Sequence, residues 1–142
     1  MENVEQYHEF ALSVLEKESQ GYEELLGLAR EQREHLLAGR IAALSAVVDR
    51  QSEVMGRVAS LGRQAHACLQ QLKSALSLDS DPITLATLAD VAPQPYAARY
   101  GEVRARMREL TDQLHSTNAG NHELVRNALA YIDFSLRLIG AV

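Results

Sequence analysis

The sequence has one cysteine, no tryptophan, three prolines and few aromatic residues among its 142 positions. A single cysteine, Cys68, excludes an intrachain disulfide and fits a reducing, cytosolic compartment. No segment approaches the roughly 18 to 20 consecutive apolar residues that a membrane span needs, so we expect no membrane insertion. The first ten residues, MENVEQYHEF, have no basic stretch followed by an apolar run, and we therefore expect no signal peptide.

Basic residues are also in the minority, and the formal net charge is −5. An acidic balance argues against a nucleic-acid partner. The segment RYGEVRARMREL clusters four arginines, but the interleaved Glu102 and Glu109 predict a solvated helix face rather than a track for phosphates.

What the sequence does contain is leucine, alanine, glutamate and arginine in a 3-4 spacing of apolar positions, which predicts an all-α protein. We expect a single helical domain over residues 1–142, with three long helices in an antiparallel, coiled-coil-like bundle. The predicted long helices cover about 2–37, 40–77 and 96–139. Gly39 suits the end of the first helix, because glycine adopts the left-handed conformation there.

The connection between the second and third long helices contains a further helix signal. Asp81 followed by Pro82 suits an N-cap and a first helical residue, which predicts a short helix at about 82–90.

Charge and apolar spacing also predict how the helices pack. Residues 1–38 carry a net charge of −6 and residues 39–77 a net charge of +3, which favours an antiparallel first pair. In the second helix, we expect one continuous 3-4 stripe to face the bundle core. Its members are Ile41, Leu44, Val48, Gln51, Met55, Val58, Gly62, Ala65, Leu69, Leu72 and Leu76.

The stretch LHSTNAGNHEL, from Leu114 to Leu124, interrupts the third helix with poor helix formers. Its polar residues fall within the helical frame, so it does not predict a loop between helices. We expect Asn118, Gly120 and Asn121 to act as hinge or cap residues that let the helix bend or fray.

The segment after this stretch is apolar around most of its circumference, which indicates burial on more than one side. A partner-binding surface and a buried helix that closes the bundle both fit this pattern. If it binds a partner, we expect the binding residues to be Leu124, Val125, Ala128, Leu129, Ile132, Leu136 and Ile139.

Two carboxylate-x-x-histidine pairs, Glu5 with His8 and Asp112 with His115, raise the possibility of a di-metal bundle. The flanking stripe positions are apolar, so we expect these residues to be solvated surface groups. Cys68 has no CxxC partner and fits a small packed residue. No catalytic, cofactor-binding or metal-binding residues are predicted, and we expect that the protein is not an enzyme.

Two segments of the chain resemble the FlgN-type flagellar export chaperone family. The first, LLGLAREQREHLLAGRIAALSAVVDRQSEVMGRVASL, resembles the family's leucine-rich helix, short glycine turn and second helix. The second, LHSTNAGNHELVRNALAYIDFSLRLI, resembles its Asn-x-x-Asn segment and apolar tail, with Asn118, Asn121, Leu124 and Tyr131 at the corresponding places. Arg40 stands where the family usually has an acidic residue after the turn glycine.

The resemblance implies a cytoplasmic helical chaperone without cofactors. It implies binding to the C-terminal segments of hook–filament junction proteins of the FlgK and FlgL type, which the chaperone keeps unassembled and delivers to the export apparatus. The family's client contacts correspond here to about Leu124 to Ile139. The alternative that the residues leave open is a non-catalytic helical bundle that self-associates, as a homodimer, through the same apolar tail.

Overall fold

In the computed structural model, the described part of the chain is helical and contains no strand; it comprises residues 3–79, 83–138 and 140, without the side chain of Tyr131. The predicted all-α class is confirmed. The helices are α1 (Val4–Ala38), α2 (Ile41–Ala75), α3 (Leu85–Val91) and α4 (Tyr96–Leu138).

Local capping explains where the helices begin and end. The side chain of Asn3 accepts a hydrogen bond from the backbone N–H of Glu5, at 3.0 Å, and so satisfies one free donor of the first turn of α1. Gly39 ends α1 at a φ of 69°, a left-handed conformation that glycine adopts without strain. α3 begins after Thr84, whose hydroxyl accepts from the N–H of Thr87. The predicted cap pair, Asp81 and Pro82, lies outside the described residues.

Contacts between side chains set the direction of each long helix. Arg50 pairs with Glu31 and Arg57 with Glu24, so α2 runs antiparallel to α1. Arg99 pairs with Glu9 and Arg106 with Glu23, so residue numbers rise together along α1 and α4, which are parallel.

Helix α1 lies between the other two long helices and contacts both along its length. Among the described residues, no Cα of α2 comes within 8 Å of a Cα of α4. The side chains of α1 therefore hold together two helices whose backbones stay apart.

The buried side chains form two clusters along the bundle. One cluster gathers α1, α2, α3 and the start of α4 around Tyr100, Leu72 and Leu88, each of which is fully buried. Burying a side chain of this size contributes about 1.5–3 kcal/mol. The second cluster joins Leu25 and Val54 nearer the α1–α2 turn. We call the end with α3 the closed end and the end with the α1–α2 turn the open end.

Helix α4 extends past the open end. Gly120 lies beside Arg33, and the same register puts Val125 level with Ala38, the last residue of α1. The remaining 13 residues of α4 extend about 20 Å beyond that level. We call residues 124–138 the overhang.

Candidate partner-binding surface

The overhang presents apolar side chains to solvent. Val125 is 37% exposed, Leu129 60%, Ile132 52% and Leu136 39%. Their spacing of four, three and four residues puts them on one face of α4. Ala128 is exposed on the same segment and Leu124 is half-buried. Ile139, the last of the predicted binding residues, lies outside the described residues.

The overhang therefore does not form a buried closing helix. Phe134 and Leu138 are also exposed, on another side of the segment. Exposed apolar side chains in this number on one helical segment are typical of a protein-interaction site. The alternative prediction, that this segment is a buried helix closing the bundle, is wrong for the described residues of this chain.

A second apolar surface lies on α2, where the sequence predicted core. Ile41 is 72% exposed, Val48 45% and Met55 59%, whereas Val47 and Val54 are buried against α1. In the first half of α2, the side that faces α1 is thus rotated by about 100° from the predicted stripe, whereas Val58, Ala65 and Leu72 of that stripe are buried as predicted. The sequence contains both apolar patterns. Val47 and Val54 on one face, and Ile41, Val48 and Met55 on the adjacent face, each recur every seven positions.

A cavity of about 390 Å³ opens where the three long helices meet near the open end. Its lining is largely apolar and includes three side-chain amides. The lining residues are Tyr22, Leu25 and Gln32 from α1, Gln51, Met55, Val58 and Ala59 from α2, and Leu114 and Asn118 from α4. A volume of this order accommodates one or two large apolar side chains of a partner.

Amide groups link the three helices at this level. Gln51 donates from Nε2 to Oε1 of Gln32, at 3.0 Å. Asn121 donates from Nδ2 to the backbone carbonyl of Ala29, at 2.8 Å, and more weakly to the same Oε1 atom of Gln32. Because buried amides cost free energy unless they are paired, this chain of bonds fixes the register of the three helices.

The predicted hinge residues lie inside α4 rather than at either end of it. Asn121 is buried in the contacts just described, Asn118 lines the cavity, and Gly120 leaves room for the guanidinium of Arg33. A Cβ at Gly120 would lie 2.8 Å from Nη1 of that arginine. All three residues thus take part in interhelix packing; the hinge role stays a prediction.

At the closed end, His8 differs from its predicted place on the solvated surface. It is fully buried, stacks on Tyr96 with ring centroids 4.8 Å apart, and lies 2.7 Å from the Tyr100 hydroxyl through Nδ1. Burial lowers the pKa of His8. Its predicted neighbour in a metal pair, Glu5, is exposed, as are Asp112 and His115.

Side chains that could bind a metal ion or act as nucleophiles form no further cluster in the described part of the chain. Its His, Cys, Asp and Glu residues include no group of three or more placed to hold a metal ion. Cys68 is buried, and that burial raises the pKa of its thiol, which disfavours the nucleophilic thiolate. Across the same residues, no helix is both long enough and apolar enough to cross a membrane.

The comparisons with known proteins give one family. The family model described as FlgN protein matches residues 9–141, nearly the whole chain. No curated protein matches the chain. No solved structure matches it either.

Proposed function

This chain belongs to the FlgN family of flagellar export chaperones, and we propose that it is the cytoplasmic chaperone of hook–filament junction proteins of the FlgK and FlgL type. In this role it binds their C-terminal segments, keeps them unassembled and passes them to the flagellar export apparatus. The observation that carries the proposal is the exposed apolar overhang of α4.

A helical client segment fits the physics of the overhang. Leu129, Ile132 and Leu136 offer anchors at the spacing by which one amphipathic helix is recognised by another. A flexible client that becomes ordered on binding uses about 2–5 kcal/mol of the interaction energy for that ordering. We therefore expect moderate affinity, which suits a chaperone that must release its client.

The direct experiment is isothermal titration of the chain with C-terminal segments of a FlgK-type and a FlgL-type protein from the same source. The test variant is Leu129→Asp with Ile132→Asp, which places two charges on the apolar face of the overhang. The control variant is Asn127→Asp with Ala130→Asp, which places two charges on other sides of the same exposed segment. We expect binding by the parent and control chains, and at least a 100-fold loss in the test variant.

A chain that ends at His122 provides a second check, because it retains Asn121 and its bonds to α1. Circular dichroism establishes that each variant is folded. If the folded parent chain binds neither segment, the proposed client is wrong.

The alternative proposal, self-association through the same face, is favoured by that same exposure. Sedimentation of the client-free chain separates the two. Self-association is the role of the overhang if two results are obtained together. The parent chain forms a stable dimer and binds no client, and Leu129→Asp with Ile132→Asp dissociates that dimer.

A further inference from the structure

The cavity separates α2 from α4, and the faces of the two helices that line it continue towards the open end; we call the space between these faces the α2–α4 groove. Met55 on α2 and Asn118 on α4 both line the cavity, so they mark its two walls. Val48 lies seven residues before Met55, and Val125 lies seven residues after Asn118, so each continues its wall on the same face. Because α2 and α4 run in opposite directions, both walls lead towards the open end.

The walls of this α2–α4 groove are apolar and exposed. Ile41, Val48 and Met55 form the α2 wall, and Val125, Leu129 and Ile132 continue the α4 wall. Spacings of seven residues are those with which a helix packs its apolar stripe against neighbouring helices. Each wall extends about 21 Å over 14 residues, the length of roughly four helical turns.

A basic row borders the α4 wall. Its members occur at steps of four, seven, seven and four residues, which keeps them within about 40° of one another around the helix. All are exposed; they are Arg104, Arg108, His115, His122 and Arg126.

The position of the row follows from the contacts of α4. Arg106 and Gln113 reach α1, Leu114 and Asn118 come next around the helix and line the cavity, and the basic row lies beyond Asn118. From His115 to Arg126 the row therefore borders the groove, while Arg108 lies about 9 Å and Arg104 about 15 Å before Leu114 along the helix.

The arginines of this row differ from the other arginines near the start of α4. Arg99 and Arg106 are paired with glutamates of α1. Arg104, Arg108 and Arg126 have no ion pair within the described part of the chain. In a protein with a net charge of −5, arginines without an ion pair among the described residues give this side of α4 a positive charge.

We infer that the α2–α4 groove receives an acidic amphipathic helix, whose apolar stripe packs on Met55, Val48 and Val125 while its carboxylates face Arg108 and Arg126. The helix is that of the client, so this assignment rests on the proposed function. It extends the client's contacts from the overhang to α2, and it specifies the charge pattern of the segment that is bound.

Two synthetic 18-residue helices test the charge pattern without a natural client. Both carry the same leucine stripe, one with glutamates beside it and the other with lysines. We expect the full chain to bind the glutamate helix about 10-fold more tightly in low salt, since each exposed ion pair contributes only modestly. The difference should shrink in 1 M sodium chloride, because salt screens exposed charges.

Two matched variants locate the source of the preference. Arg108→Gln with Arg126→Gln should reduce it to less than about 3-fold. Lys17→Gln with Arg57→Gln removes the same charge from a separate cleft between α1 and α2, and should leave the preference unchanged. Equal binding of the two helices by the parent chain would overturn the acidic partner.

The α2 wall is tested with Val48→Asp and Met55→Asp together, and with Ile41→Asp alone as the mildest change, since its side chain is the most exposed of the three. We expect at least a 10-fold loss of the glutamate helix and of the natural client segment in the folded double variant, and a smaller loss in the single variant. If both folded variants bind as the parent does, the groove assignment is wrong.

The same measurements distinguish a failed groove from a failed proposed function. If the client binds the α2 variants normally but does not bind Leu129→Asp with Ile132→Asp, the proposed function stands without the groove. Conversely, a parent chain that binds the glutamate helix and no junction-protein segment would keep the groove and remove the proposed client.

Discussion

The Nδ1 atom of His8 lies 2.7 Å from the hydroxyl oxygen of Tyr100, although the two residues are 92 positions apart in the chain. The bond joins α1 to α4 at the closed end, where His8 also stacks on Tyr96. The other ring nitrogen, Nε2, is buried and has no hydrogen-bond partner among the described residues. A neutral imidazole fits this site, whereas an imidazolium would bury an uncompensated charge.

The first prediction is that acid destabilises the protein through His8. Burial lowers the pKa of His8 below its ordinary value of 6.5, so the unfolded chain binds the proton more readily than the folded one. The stabilising contribution is fully present above pH 6.5 and is lost as the pH falls towards the folded pKa. We expect the free energy of unfolding to fall by up to about 1.4 kcal/mol between pH 7.5 and 5.5, measured by urea titration.

The control for this titration is an exposed histidine. His66→Gln should keep the pH dependence of the parent chain, while His8→Gln should flatten it, whatever its stability at pH 7.5. An unchanged slope in His8→Gln would show that another group titrates in this range. Glu18 is buried and its pKa is raised, so it acts in the opposite sense: its protonation at lower pH favours the folded chain.

The second prediction compares two glycines of α1. A Cβ at Gly21 would lie 2.5 Å from Cγ2 of Val58, whereas a Cβ at Gly27 would meet nothing within 4 Å. Val58 is buried and β-branched, so it has little freedom to move aside. We expect Gly21→Ala to lower the free energy of unfolding by about 1–2 kcal/mol through overpacking, despite the better helix propensity of alanine.

Gly27→Ala isolates the propensity effect in the same helix. It should raise the free energy of unfolding by about 0.5–1 kcal/mol. Both values come from chemical denaturation at one pH. Similar stabilisation by the two alanines would mean that α1 and α2 adjust without cost where Gly21 meets Val58.

The third prediction concerns the amide bonds near the open end. Asn121→Ala removes the donor to the carbonyl of Ala29 and leaves Gln32 with one partner fewer. We expect a loss of about 1–3 kcal/mol in the free energy of unfolding. Asn127→Ala, at an exposed position on the same helix, should change it by less than about 0.5 kcal/mol.

Hydrogen exchange distinguishes this packing role from the predicted hinge. If Asn121 holds α4 on α1, amides of residues 116–121 exchange as slowly as those of the preceding turns, and exchange becomes fast only in the overhang. Fast exchange at 116–121 in the parent chain would favour the hinge.

The helices and their class could be predicted because each depends on local features. The 3-4 spacing and the left-handed preference of Gly39 act within a few residues, so they are readable in the sequence. The exposed overhang could be suspected from its apolar excess, but its exposure depends on where α1 ends relative to α4. That comparison requires the register of two helices about 90 residues apart in the chain.

The buried face of the first half of α2 could not be predicted for a related reason, although Val58, Ala65 and Leu72 in the second half were predicted correctly. Val47 and Val54 form one apolar stripe, and Val48 and Met55 form another beside it. The choice between them is made by contacts with α1, such as Gln51 to Gln32, and not by spacing. The burial of His8 was not predicted because its partner, Tyr100, comes from a distant helix, and nothing next to His8 in the acidic first helix indicates burial.

The closed end and the open end of the bundle have different consequences for how this sequence can vary over evolutionary time. Substitutions around the fully buried Tyr100 affect folding, whereas under the proposed function substitutions in the overhang affect client binding. Because the two regions are separated along the bundle, their effects should be nearly additive. Under the proposed function, the overhang can therefore adapt to a changing client one residue at a time, without compensating mutations in the core.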